Sequence, residues 1–101
     1  SLYKYFNSLD ERVVFIVSSD LAHTHLESGP YGYSPTAEPF DRSVVSWVES
    51  LNPFFLLETA GRLQNEALSC GWSGLVMLDG FLKERGYEFW RKKMSLKILN
   101  F

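Results

Sequence analysis

Val13-Val14-Phe15-Ile16-Val17 is the stretch on which the fold turns. Five consecutive apolar residues, β-branched or aromatic and without polar alternation, predict a strand buried on both faces. Strands of that kind belong to parallel sheets covered by helices, so the run predicts an α/β architecture, a partial sheet flanked by helices. Ser18-Ser19-Asp20 then supplies small polar residues suited to a turn. Upstream, Leu2, Tyr5, Phe6 and Leu9 share one face of a predicted helix. Downstream, His23 to Pro39 holds three prolines and two glycines and predicts a loop at the end of the strand, a common place for function. Phe40, Val44, Trp47, Val48 and Leu51 form the apolar face of a helix that starts near Thr36 or Glu38. Asn52-Pro53 marks a new helix start, running to about Thr59, with Gly61 as punctuation. A further helical pattern spans Glu66 to Lys83, through Leu68, Trp72, Leu75, Val76, Leu78 and Leu82. Gly71, Gly74 and Gly80 inside it predict close backbone packing or a break before Gly71. Gly86 is a stop, and Leu96-Lys97-Ile98-Leu99 reads as strand or helix.

The chain has 101 residues, so it predicts a single domain or part of one. Its 46% hydrophobic and 22% charged residues exclude a disordered chain. Three Trp, five Tyr and eight Phe require burial in a core, a pocket or a subunit interface. Net charge is −2, so no global basic field favours nucleic acid. The charge is uneven: from Lys83 onward six basic residues face two acidic ones, a basic tail that leaves the rest of the chain acidic. Such a tail is a solvated helix or strand end, or an anion- or partner-binding segment. Cys70 is the single cysteine, which excludes an intrachain disulfide and a Cys-rich zinc site. No apolar run has membrane-spanning length and no leader pattern opens the sequence, so a soluble, cytoplasmic protein without a membrane partner is expected.

Chemistry concentrates in Ser18-Ser19-Asp20-Leu21-Ala22-His23-Thr24-His25. In open α/β sheets ligands bind beyond the carboxyl ends of strands. His23 there is placed to act as an acid–base group, or is simply hydrogen-bonded in a turn. His23 and His25, with Asp20 or Glu66, would make a two-histidine, one-carboxylate metal set. Glu66 by itself reads as a surface carboxylate near a helix start. Cys70 reads as a small buried residue, and no nearby base marks it as a nucleophile. Phosphate loops, nucleophile elbows and dinucleotide fingerprints are lacking.

These residues resemble a known family. Val13 to Asp41, VVFIVSSDLAHTHLESGPYGYSPTAEPFD, is similar to the strand, turn and L-(S/A)-H segment of LigB-type class III extradiol dioxygenases, with its GPYGY-P-x-A-x-x-FD continuation. Asn65 to Trp72 and Leu78 to Leu82 resemble the later E-A-x-x-C-G helix of that family. The resemblance spans about residues 12–86, and 87–101 is a divergent basic tail. It implies an α/β fold, Fe(II) held by two His and one Glu, and dioxygen-dependent opening of catechol-type rings. His23 falls on the acid–base position and Glu66 on the carboxylate ligand. The two metal-binding histidines of the family lie upstream of any residue in this sequence, and His25 is not one of them. The resemblance therefore implies a C-terminal portion of a dioxygenase, incompetent alone, or a non-catalytic binding module of the same fold. Apolar surface left by the missing half would be covered by that half or by a second copy.

Overall fold

The computed structural model describes residues 1–93, and the fold there is helical. Five α-helices follow in order: α1 (Leu2–Asn7), α2 (Ala37–Ser50), α3 (Gly61–Ala67), α4 (Trp72–Arg85) and α5 (Tyr87–Lys93), with a π-helical segment, Phe55–Ala60, leading into α3. Among the described residues there is no strand and no sheet; a single antiparallel bridge joins His25 and Tyr33. The α/β expectation is therefore corrected to an all-helical domain. The physical reason lies in Val13 to Val17. A strand is completed by backbone groups on a neighbour, and among the described residues none pairs with this run. Residues 13–17 take up no regular secondary structure. Its alternate side chains behave differently: Phe15 and Val17 are half-buried, while Val14 and Ile16 are each 81% exposed. One face is covered, where the unbroken apolar run predicted two.

That covered face lies along α4. The Phe15 ring stacks on Phe81, with centroids 5.0 Å apart and planes 4° from parallel. A Cβ on Gly71 would fall 1.8 Å from Ser19 Oγ, and one on Gly74 would lie 3.2 Å from a Val17 methyl. Those two glycines are the close approach the sequence predicted. Gly80 is different, with open space where a Cβ would go.

The core is built on α2. Ala37, Phe40, Val44, Trp47 and Leu51 recur at intervals of three and four and are all buried, which is the spacing of one helix face. Leu56, Ala60, Ala67 and Leu82 complete the cluster. Each large side chain removed from water there contributes about 1.5–3 kcal/mol before conformational entropy is set against it. Asn52 starts the next helix as expected, its side-chain oxygen accepting from the Phe54 amide at 3.0 Å. Gly61 does not punctuate. The helix continues through it as α3, after the wider π turns. Trp72 Nε1 donates to the Leu56 carbonyl at the start of that π segment, at 3.0 Å.

Two leucines hold left-handed conformations at helix ends, Leu51 (φ 53°) and Leu68 (φ 54°). Glycine is the cheaper residue there. Leu51 is retained for its burial, at 2% exposure. The carbonyls around it are capped from the tail: Arg91 Nε donates to Ser50 O at 2.7 Å and Nη2 to Leu51 O at 3.2 Å. A guanidinium at a helix C-terminus also complements the dipole, so this part of the basic tail has a structural task. The ambiguous segment Leu96–Leu99 lies outside the described residues.

Beneath α2 a buried carboxylate ties three helices together. Asp79 of α4 accepts from Trp47 Nε1 and from the Tyr87 hydroxyl, both at 2.9 Å. Burial and this carboxylate push the Tyr87 phenol up from its ordinary value of 10.0 to about 12.

Candidate functional site

The His23 segment is held by the exposed end of a helix. Carbonyls in the last turn of α3 have no partner within the helix. The His23 amide donates to Ala67 O at 2.8 Å, and Thr24 Oγ1 donates to Glu66 O at 3.1 Å. Ser69 Oγ donates to Asp20 O at 3.1 Å, which joins the same loop to the α3–α4 turn. A second anchor comes from α2: Asp41 accepts from the Ala22 amide at 2.9 Å and pairs with His25 Nε2 at 2.7 Å. The bridge between His25 and Tyr33 and the bond from the Ser34 amide to Thr24 O, 2.8 Å, fold the Pro- and Gly-rich loop back over this strip.

These anchors leave the His23 imidazole at an open cleft of about 320 Å3, whose walls include Tyr31, Gln64, Asn65, Leu68 and Cys70. The Tyr31 ring lies 5.4 Å from the imidazole, tilted by 41°. His23 Nε2 and Cys70 Sγ are 2.8 Å apart. Cys70 is exposed rather than buried, which corrects its reading as a packed small residue. The cleft thus combines an imidazole, a thiol, two side-chain amides and an aromatic wall. A larger cleft of about 360 Å3 lies among Tyr3, Phe6, Phe15, Phe81 and Trp90. It offers apolar space between rings and few groups that could do chemistry.

The segments around positions 23 and 66 meet, the His23 amide on Ala67 O and the Thr24 hydroxyl on Glu66 O. Their side chains diverge in setting: His23 faces the cleft, while the Glu66 side chain is exposed and stands outside its walls. The two histidines of the His-x-His pair also part, His25 toward Asp41 and His23 toward Cys70. Among the described residues no group of three His, Cys, Asp or Glu is placed to hold a metal ion. The donors among the described residues therefore do not fit Fe(II) by themselves.

Sequence reasoning missed Cys70, Tyr31 and Asp41. Cys70 and His23 are separated by 47 positions, and nothing in either one's local sequence announces the other. Asp41 was legible in part, as a carboxylate in the first turns of a helix that follows a histidine-bearing loop.

Among known proteins, the chain is similar to Protein CA_C1420 of Clostridium acetobutylicum. The two are 32% identical over 85 residues, which cover 84% of this chain and 18% of that protein. The chain thus spans about a fifth of the length of the curated relative it matches. No family model matches the sequence, and no solved structure matches it. No helix among the described residues is long and apolar enough to cross a membrane.

Proposed function

We propose that this chain is a portion of a LigB-type extradiol dioxygenase-like protein acting on catechol-type aromatic substrates, and that His23 is its acid–base residue. The observation that carries the reading is the position of the His23 imidazole, at the mouth of an open cleft beside the Tyr31 ring. The resemblance of Val13 to Asp41 to that family supports it. So does the length of the similar clostridial protein, which leaves ample chain for further donors. An imidazole in this place takes a proton from a phenolic hydroxyl and returns it later in the reaction. Tyr31 offers the substrate ring an aromatic wall, and Gln64 and Asn65 offer amide groups to its hydroxyls. Glu66 is the carboxylate that the resemblance assigns to the metal. The further donors that the resemblance calls for would come from outside the described residues.

The test uses the full-length protein. Iron content, dioxygen uptake and ring opening of a catechol are measured together. The expected result is turnover with bound iron, lost on His23→Gln while iron is retained. Full-length protein that binds no iron and opens no ring, or a His23→Gln variant with undiminished turnover, overturns the reading.

A second reading, a non-catalytic binding module, draws on a different observation. Val14 and Ile16 at 81% exposure, with Leu26 at 66% and Met77 at 64%, leave apolar surface for a partner, a second copy or the rest of the protein. Partner capture by iron-free protein, with no ring opening, would favour it.

A further inference from the structure

We propose that Cys70 and His23 form a thiol–imidazole pair that reacts with hydroperoxides, making Cys70 a site of sulfenic acid formation. The inference goes beyond the dioxygenase reading, because it needs neither iron nor a catechol. Three observations carry it. The sulfur lies 2.8 Å from the imidazole Nε2, within reach of direct proton transfer. The cysteine is exposed, and it borders a cleft of about 320 Å3, room for a small organic molecule. A thiolate is the nucleophilic form of cysteine, and the imidazole is the base beside it.

The step balances within the pair and the peroxide. The thiol proton passes to Nε2 of His23. The sulfur attacks the terminal, hydrogen-bearing oxygen of the hydroperoxide, an S–O bond forms and the O–O bond breaks. Sulfur is oxidised by two electrons and the peroxide is reduced. The departing alkoxide takes the proton from His23 and leaves as an alcohol, or as water when the oxidant is hydrogen peroxide. Cys70 is left as a sulfenic acid. Tyr31 and Leu68 on the cleft wall favour an organic hydroperoxide over hydrogen peroxide, and both are included in the test.

The 101-residue chain, which contains a single cysteine, is treated in metal-free, chelator-containing buffer with hydrogen peroxide or cumene hydroperoxide. Sulfenic acid is trapped with dimedone and followed by intact mass. The expected rate is at least ten-fold above that of N-acetylcysteine in the same buffer, falling to that level in His23→Gln, with the faster oxidant naming the natural class. A wild-type rate equal to N-acetylcysteine overturns the proposal without reference to any variant. So does a His23→Gln rate equal to wild type. A dioxygenase assay that fails leaves this measurement untouched, and the reverse also holds.

Discussion

Replacing Asp79 exposes the logic of the buried network. The carboxylate is 3% exposed and Trp47 is 2% exposed, so water cannot take over when one partner is removed. In Asp79→Ala the indole N–H loses its acceptor and stays dry, which costs about 1–3 kcal/mol. The Tyr87 hydroxyl is only half-buried and can turn to solvent, so it adds little. The desolvation cost of the carboxylate disappears with it, which offsets part of the lost bonding. The expected loss is about 1–2 kcal/mol, a sizeable share of the 5–15 kcal/mol typical of a domain. Trp47→Phe leaves the carboxylate buried with one donor of two, and costs about 2–4 kcal/mol. The double variant removes both the orphaned donor and the orphaned acceptor. Its loss should therefore fall short of the sum of the single losses by about 2 kcal/mol. Urea unfolding of all four proteins at neutral pH, followed by far-ultraviolet ellipticity, measures that coupling. Additive losses, within about 0.5 kcal/mol, would refute the claim that the two groups depend on each other.

Gly71→Ala should destabilise by about 2 kcal/mol or more, because its Cβ would lie 1.8 Å from Ser19 Oγ, whereas Gly80→Ala, in open space within the same helix, should stabilise by up to about 1 kcal/mol; thermal melts of the two variants decide. The Tyr87 phenol stands at about 12 against an ordinary 10.0, so its contribution is complete below pH 10 and is lost as pH rises through 12. Solvent around the half-buried ring reduces that contribution to about 1 kcal/mol, and an alkaline stability series against Tyr87→Phe should show the difference vanish between these pH values. Asp41→Ala should loosen the His23 loop, since Asp41 holds both the Ala22 amide and His25; faster hydrogen exchange at Ala22, with the core unchanged, is the expected readout.

Helices were legible wherever an apolar face could be satisfied locally. Phe40, Val44, Trp47 and Leu51 repeat at helical spacing, and α2 contains or abuts every one of them. Gly86 stops α4 in a backbone conformation (φ 105°) that suits glycine, as its place in the sequence implied. Val13 to Val17 misled because composition specifies a preference for extended backbone, while a sheet also requires a neighbour. Gly61 misled because a glycine ends a helix only when the next turn has no packing to gain, and here Ala60 and Ala67 are fully buried on either side of it. His23 was singled out from its loop position. Its thiol partner was not, since that contact depends on how α3 ends and α4 begins. Asp79 carried a usable signal: it interrupts the stripe of Leu75 and Leu82, and a charge in such a stripe demands donors from elsewhere.

The π-wound turns at Phe55–Ala60 set the phase of everything that follows them. An α-helix advances about 100° per residue and the wider π turns advance less, so the π segment carries one more residue than α winding would need for nearly the same rotation. Deleting one residue there would leave the Glu66 and Ala67 carbonyls close to Thr24 and His23, whereas deleting one from Gly61–Ala67 itself would swing them away by roughly that angle and unseat the imidazole. The π turns are thus the place where this helix could shed a single residue without dismantling the cleft.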